Sequence, residues 1–344
     1  MTDTIDFTTY LDAYAFAEPC HIESRESGMN NTTRIISSGN KKFVLRIYNN
    51  HKDMDIVRLE HEVLNDLNKQ KLTFKVPIPV QNKQGETISV ATDGTLSSLF
   101  QFIDGDRPTV SNPAHVYALG VTAARLSSAM SGINPKGLPL YSPYFMLENT
   151  YALMDEDAFF AMAELSVDLK GRKSSFMALH EERLKLKEDC NQLVGLPEQW
   201  IHGDLVFNNT VCQGDEIVGV LDFEFTTVDV RAMELAVIIV DIIKPDDLNI
   251  KEKVKLLLQG YQDTNPLTLH EIKILPILMK LRLLDVALHF AIRLRDNLDD
   301  EEILCGIIDQ SAFGCRWINE HWEDDFHEFS QSTRIRRERK TAHY

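Results

Sequence analysis

Along the first hundred residues, apolar and polar positions alternate in short runs separated by turn sequences, a pattern typical of antiparallel β-strands. The runs are 21–27, 32–38, 42–48, 86–91 and 95–102. Asp93-Gly94, between the last two runs, favours a type I′ hairpin turn. Residues 53–70 differ, because they place apolar side chains at helical spacing behind Asp53, a suitable N-cap. The pattern predicts a small lobe of five antiparallel strands over residues 1–103.

After Pro108 the apolar positions recur mostly at helical spacing. The predicted helices are 113–130, 147–193 with a break near 170–173, 232–243, 250–262, 269–294, 299–307 and 309–321. Residues 201–225 are an exception, because two short apolar runs flank the turn Gln213-Gly214-Asp215 and predict a hairpin. We therefore predict the α+β class, with a larger and mainly helical lobe over residues 104–344.

Composition and charge indicate a globular protein with small-molecule partners. The 344-residue chain is 44% apolar and 26% charged, as ordinary soluble globular proteins are. Its formal net charge of −16 argues against nucleic acid or an anionic membrane as the main partner, and it favours cationic or zwitterionic small substrates. We expect the basic tail 334–340 to be a solvated or docked helix end rather than a nucleic-acid arm. The most apolar run, 235–240, is far shorter than the ~20 residues that span a bilayer.

The N-terminus and the cysteines predict a cytoplasmic location. Residues 1–6 are acidic and lack the basic start and apolar core of a signal peptide. The five cysteines are odd in number and form no C-x-x-C pair, so we expect neither a disulfide framework nor a zinc site. Cysteines without a predicted disulfide framework indicate a reducing compartment such as the cytosol.

Residues 201–225 carry the clearest chemistry of the chain. Asp204 and Asn209 are five residues apart, as in the H-x-D-x-x-x-x-N loop of protein kinases, and Asp222 begins a segment of the metal-binding D-F-G form. Phosphoryl transfer to an alcohol needs one carboxylate that orients and deprotonates the hydroxyl, and oxygen ligands that hold Mg²⁺. A hairpin would return Asp222 to Asn209, so that both could reach one cation while Asp204 serves as the base. His202 is expected to order the loop backbone.

The sequence of these motifs resembles that of the aminoglycoside phosphotransferase and choline kinase superfamily. His202-Gly203-Asp204 with Asn209 matches its H-G-D-x-x-x-x-N loop, and residues 220–224 match its metal-binding strand end. Residues 230–236 resemble a segment of its homoserine-kinase-like branch. The resemblance implies a bilobal protein-kinase-like fold that binds ATP and Mg²⁺ between its lobes. It further implies phosphate transfer to a hydroxyl of homoserine, of a choline-like compound or of a sugar-like or aminoglycoside-like compound. Val206-Phe207-Asn208 departs from the family's common H-P-G.

The resemblance also implies residues for nucleotide binding. They are Gly28 and Asn31 in the phosphate-covering turn, Arg46 at the strand position of a phosphate-binding lysine, Glu60 or else Glu62 as its partner, and Gln101, Phe102 and Ile103 at the adenine hinge. An arginine at this strand position stays charged and can bind phosphate through two nitrogens, so the replacement of lysine is compatible with the role.

Homoserine is the first expectation for the acceptor, because Arg231 in the homoserine-kinase-like segment could hold its carboxylate. Arg231 could equally pair with Glu234 or Asp229. Two other classes stay open: a nucleotide-binding regulatory protein without catalysis, which the arginine at position 46 would suit, and a metal-dependent hydrolase built on His202 and its neighbours. The choice between ATP and GTP, and between a monomer and a homodimer, also stays open.

Overall fold

The structure, a computed structural model, describes residues 6–23, 31–49 and 53–341, with side chains described up to residue 323. These residues form two compact units. The first contains the described residues up to Arg107 together with 132–140 and 209–225. The second contains 108–131, 141–208 and the described residues from Thr226 onward. The division of the chain at residue 103 stays a prediction.

The first unit is built on an antiparallel sheet of five strands in the order β1-β2-β3-β5-β4. The strands are β1 (Cys20–Glu23), β2 (Asn31–Ser38), β3 (Lys41–Tyr48), β4 (Ser89–Val90) and β5 (Leu96–Gln101). The predicted five-stranded antiparallel sheet is therefore confirmed, although β4 is only two residues long where the sequence pattern predicts 86–91. Strand β3 is central, so that Arg46 lies opposite Thr33 on one side and Ser98 on the other.

Alternate residues of β3 reach opposite faces of the sheet, as the pleat of a strand requires. Leu45 and Ile47 pack with residues of the short helix α1 (Phe7–Leu11) and the segment after it. Tyr48, on the other face, packs against helix α2 (Met54–Asn68). The carboxylate of Asp53 accepts the backbone N–H of Asp55, which confirms the predicted N-cap of α2.

The predicted hairpin is present and belongs to the first unit. It consists of β7 (Thr210–Gln213) and β8 (Glu216–Val220), with a β-bulge at Val211/Cys212. The backbone N–H of Leu221 donates to the carbonyl of Asn209 over 2.8 Å. Folding back in this way brings the residues that follow β8 to the residues that precede β7, as the sequence pattern predicts.

The second unit is mainly helical and contains one small antiparallel sheet, β6 (Glu198–Ile201) with β9 (Thr227–Val230). Its helices are α3 (Pro113–Met130), α4 (Leu147–Thr150), α5 (Glu156–Met162), α6 (Val167–Lys170), α7 (Lys173–Asp189), α8 (Met233–Ile242), α9 (Ile250–Thr264), α10 (Leu269–Arg295) and α11 (Glu301–Thr341). The α+β class is thus confirmed. Two details differ from the prediction: the stretch 147–193 forms four α-helices and a short 3₁₀ helix, and residues 301–321, predicted to belong to two helices, lie within the continuous helix α11.

Helices α3 and α9 approach each other closely, because each contributes a glycine to the contact. A Cβ added to Gly120 would lie 2.2 Å from the carbonyl oxygen of Leu257, and one added to Gly260 would lie 2.3 Å from that of Tyr117. In the part of the chain that the structure describes, no helix is long and apolar enough to cross a bilayer.

Candidate active site

In the first unit, Arg46 links α2 to the residue that follows β8. Its Nη1 lies 2.9 Å from Oε1 of Glu60, and its Nη2 lies 3.1 Å from Oδ1 of Asp222. The hydroxyl of Tyr48 donates to Oε2 of Glu60 over 3.2 Å. The guanidinium also lies 5.6 Å from the ring centroid of Phe100. Of the two partners left open by the sequence, Glu60 is therefore the one that pairs with Arg46, and Glu62 is not.

The cluster of Arg46, Glu60, Asp222 and Glu224 contains more negative than positive charge. One guanidinium faces the carboxylates of Glu60 and Asp222, with a third carboxylate, Glu224, close enough to affect it. Burial alone would lower the pKa of Arg46, but Asp222 and Glu60 raise it well above its ordinary value, so Arg46 is charged. Burial and Asp222 raise the pKa of Glu224. A bound cation would relieve this excess of negative charge.

Asp222 and Asn209 are the oxygen donors that the sequence predicts for Mg²⁺, and the hairpin brings their backbones together. Asp222 has φ of 67°, in the left-handed region that non-glycine residues rarely adopt and that is found at functional sites. Mg²⁺ takes one or two carboxylates plus phosphate and water oxygens, so an Asp and an Asn side chain at an anionic group fit it. Among the described residues, no group of three or more His, Cys, Asp or Glu side chains is arranged as a metal cage.

Asn31 also contacts this cluster of charged residues, through Glu224. Its Nδ2 donates to Oε2 of Glu224 over 2.8 Å, and both side chains are buried. The Oδ1 atom of Asn31 is buried without a hydrogen-bond partner, so it could still accept a bond. Gly28, the other residue expected in the phosphate-covering turn, lies outside the described residues.

The expected adenine hinge has less free backbone than the sequence suggests. The N–H of Gln101 donates to the carbonyl of Ile78 over 3.0 Å, and the N–H of Phe102 donates to that of Lys42 over 3.2 Å. Neither N–H is therefore offered to a nucleotide base, and a contact at these two residues would use their carbonyl oxygens. Ile103 is buried, and its Cγ2 lies against Gly219 of the hairpin.

The second unit holds the loop with Asp204. Nδ1 of the fully buried His202 accepts the N–H of Asp204 over 3.2 Å, and the N–H of His202 donates to Oε2 of Glu234 over 2.6 Å. Burial raises the pKa of Glu234, which comes from the start of α8. His202 thus orders the loop backbone, as expected, whereas the side chain of Asp204 is 22% exposed and accessible to a substrate.

Four residues that were not predicted form a chain of contacts that begins at Asp204. Nη2 of Arg282 donates to Oδ1 of Asp204 over 2.5 Å, and Nη1 donates to the hydroxyl of Tyr144 over 2.7 Å. Asp285 lies 3.9 Å from Arg282 and accepts the hydroxyl of Tyr151 over 2.6 Å. Burial raises the pKa of Asp285. The one sequence signal for this cluster is the pair of charged residues Arg282 and Asp285, one helical turn apart among the apolar residues of α10.

Arg231 is engaged within the protein. Its Nε and Nη2 contact the two oxygens of Glu271, which is fully buried, over 2.5 and 2.8 Å. Its Nη1 and Nη2 also reach the side chain of Asn265 and the carbonyl of Pro266 over 3.5 and 3.4 Å. The partner is thus neither of the two acidic residues considered from the sequence. The substrate role of Arg231 stays a prediction, and this geometry does not favour it.

Comparisons with known proteins identify the family of the chain. A sequence model of the phosphotransferase enzyme family (APH) matches residues 21–266, more than half of the chain. The homoserine kinase of Methylobacillus glycogenes is 23% identical over 275 residues, which cover 76% of each protein. The homoserine kinase of Beijerinckia indica subsp. indica is 24% identical over 281 residues, covering 80% of this chain and 81% of that protein.

Solved structures of low sequence identity share the fold. A microcompartment-associated aminopropanol kinase superposes with a TM-score of 0.72 at 16% identity, covering 92% of this chain and 96% of its own. The amicoumacin kinase hAmiN, solved in complex with AMP-PNP and Ca²⁺, superposes with a TM-score of 0.70 at 15% identity, covering 96% and 97%. With the motif positions described above, these matches lead to one conclusion: the chain belongs to the phosphotransferase enzyme (APH) family.

Proposed function

We propose that this protein transfers the γ-phosphoryl group of ATP to a hydroxyl of a small acceptor, with L-homoserine as the first candidate. The observation that carries the proposal is Asp204, a partly exposed carboxylate on a hydrogen-bonded loop whose sequence resembles the H-G-D-x-x-x-x-N motif of the family. The curated relatives named above are homoserine kinases that align over about three quarters of the chain. The pairing of Arg46 with Glu60 and Asp222 gives further support.

On the nucleotide side, Arg46 would bind the non-transferred phosphates after exchanging its contact with Asp222 for phosphate oxygens. Glu60 would keep the guanidinium oriented during this exchange. Asp222 and Asn209 would hold Mg²⁺, which when bound neutralises charge on the phosphates. Gly28 and Asn31 would contact the phosphates, and Gln101, Phe102 and Ile103 the adenine.

On the acceptor side, Asp204 would accept the proton of the attacking hydroxyl and orient its oxygen. Arg282 and Asp285 place charges of both signs beside Asp204, and both side chains are about one fifth exposed. Charges of both signs at this place suit a zwitterionic amino acid better than an anion or a neutral sugar. Homoserine thus remains the first candidate acceptor, without a substrate contact from Arg231.

The first test is ADP release from Mg²⁺·ATP across a panel of hydroxyl compounds, with Asp204→Asn in parallel. The panel contains L-homoserine, an amino alcohol, choline, a sugar and an aminoglycoside. We expect acceptor-dependent release that Asp204→Asn lowers by ~10²–10⁴-fold, because a positioned base is lost, while nucleotide binding persists. Asp296→Asn, which changes an exposed aspartate of the same unit, should leave the rate unchanged. An unimpaired Asp204→Asn enzyme would refute the assignment.

Binding of nucleotide without release in the presence of any acceptor would favour the non-catalytic regulatory protein instead. The arginine in place of a lysine at position 46 is the feature that would suit this alternative. We also propose a cytoplasmic location, which the five free cysteines support.

A further inference from the structure

The peptide group between Gly203 and Asp204 is held at both ends. Its carbonyl, on Gly203, accepts the hydroxyl of Tyr144 over 2.7 Å. Its N–H, on Asp204, donates to Nδ1 of His202 over 3.2 Å. Gly203 has φ of 82°, a conformation that glycine adopts without strain. The orientation of the backbone at Asp204 therefore depends on a tyrosine from a distant segment of the second unit.

The guanidinium of Arg282 joins this backbone contact to the side chain of Asp204. Nη2 binds Oδ1 of Asp204, and Nη1 binds the same Tyr144 hydroxyl that binds the carbonyl of Gly203. The contacts close a ring that runs from the Asp204 carboxylate through Arg282 and Tyr144 to the peptide of Asp204. Because the guanidinium is planar and its donors are fixed, the ring restrains the side-chain torsions of Asp204 as well as its backbone.

We propose that Arg282 and Tyr144 are positioning residues that set the carboxylate of Asp204 for the hydroxyl, an inference that rests on the proposed function. Oδ1 of Asp204 accepts from Nη2 of Arg282, and this contact fixes the direction of the carboxylate. Arginine suits the role because its two Nη atoms can donate to Asp204 and to Tyr144 at the same time. A lysine at position 282 would carry the charge without these two Nη atoms.

The charges around the guanidinium agree with this role. Burial alone would lower the pKa of Arg282, but Tyr144, Asp204 and Asp285 raise it well above its ordinary value, so Arg282 is charged. Burial also raises the pKa of Tyr144, which therefore keeps its hydroxyl proton for the carbonyl of Gly203. The hydroxyl of Tyr151 donates to Asp285, which lies beside Arg282, so a further hydrogen bond holds the carboxylate next to the guanidinium.

The test compares Arg282→Lys and Tyr144→Phe with Arg293→Lys, a control on the same helix whose arginine pairs with Asp299 instead. A displacement of the base by about 1 Å costs roughly 10²-fold in rate, so we expect Arg282→Lys to lower kcat by about that factor. Tyr144→Phe should lower kcat by roughly tenfold, the equivalent of one hydrogen bond. The KM for ATP should stay within about twofold in both, since neither residue belongs to the nucleotide group.

Chemical rescue adds a readout that a purely structural role would not give. Free guanidinium, but not ammonium, should restore part of the kcat of Arg282→Ala, because only the planar cation can bridge Asp204 and Tyr144. An Arg282→Lys enzyme with wild-type kcat would overturn the proposal. So would equal losses in kcat and in ATP binding.

A second measurement separates this inference from the proposed function. Amide hydrogen exchange of a peptide covering residues 198–210 reports the loop without any turnover. We expect the amide of Asp204 to exchange about five- to tenfold faster in Tyr144→Phe and Arg282→Lys than in Arg293→Lys. Faster exchange in a protein that phosphorylates no acceptor would support the positioning contacts and refute the proposed function. Unchanged exchange would refute the positioning contacts, whatever the activity.

Discussion

Substitution of Arg231 by alanine separates a structural role from a substrate-binding one. Arg231 follows β9 and binds both oxygens of Glu271, which caps the start of α10 and is fully buried. Burial alone would raise the pKa of Glu271, but Arg231 and Thr268 lower it below its ordinary value. Removing the guanidinium leaves a buried carboxylate without its cation, which is costly in a protein interior.

The magnitude follows from the exposure of the pair and from the contacts that survive. Removing one partner of a buried ion pair costs ~3–5 kcal/mol. Water reaches Arg231, which is 18% exposed, and Glu271 keeps the backbone N–H of Thr268 at 2.7 Å. Both facts favour the lower end of the range of ~3–5 kcal/mol, so we expect Arg231→Ala to reduce the free energy of unfolding by about 3 kcal/mol. At ~2 °C per kcal/mol for a large domain, Tm falls by about 6 °C.

Thermal unfolding and acceptor kinetics measure the two roles separately. We expect Arg231→Ala to lower Tm while the KM for homoserine changes less than about twofold, and Arg231→Lys to recover part of the loss. Arg295→Ala, at a largely exposed arginine beside Asp296, should cost less than about 1 kcal/mol. The reasoning would be refuted by an Arg231→Ala protein of unchanged Tm in which the acceptor KM rises tenfold or more.

Three further predictions concern other parts of the structure and use four substitutions. Gly120→Ala should destabilise the protein by ~1–3 kcal/mol, because its Cβ would lie 2.2 Å from a carbonyl of α9; Gly306→Ala, with open space around its Cβ, should stabilise by up to ~1 kcal/mol in urea unfolding. Burial lowers the pKa of His61 to about 3. Below pH 6.5 the histidine therefore binds a proton in the unfolded chain but stays neutral in the folded protein. His61 should therefore destabilise the fold by about 2 kcal/mol at pH 5 relative to pH 7, and His61→Gln should remove that share of the pH dependence. Glu60→Gln keeps the shape but not the charge beside Arg46 and should raise the KM for ATP by roughly tenfold, with a normal KM as the contrary result.

Elements with a local pattern were predictable from the sequence. Short β-prone runs such as β3, with turn sequences between them, were sufficient to predict the sheet, and the turn between β7 and β8 was sufficient to predict the return of Asp222 to Asn209. The amphipathic pattern of the helix after β3 left Glu60 and Glu62 as possible partners of Arg46, and only the family resemblance favoured Glu60, which the structure confirms. In each case one short segment carries the periodicity or spacing that fixes its structure.

Contacts between distant segments were not predictable in the same way. Arg282 is 78 residues from Asp204, and no periodicity links α10 to the catalytic loop. The same holds for Glu271, 40 residues from Arg231, which a local search for acidic neighbours could not identify. A largely buried arginine in a helix indicates that a carboxylate lies nearby, but not which one.

The most direct test of the central claim is the identification of a phosphorylated product. Purified protein, Mg²⁺·ATP and L-homoserine are incubated, and phosphorus NMR follows the nucleotide and any new phosphomonoester. The account predicts a phosphomonoester of the acceptor in a one-to-one ratio to ADP, formed ~10²–10⁴-fold more slowly by Asp204→Asn. Turnover of ATP to ADP and inorganic phosphate alone, or nucleotide binding without a phosphomonoester for any hydroxyl acceptor in the panel, would contradict it.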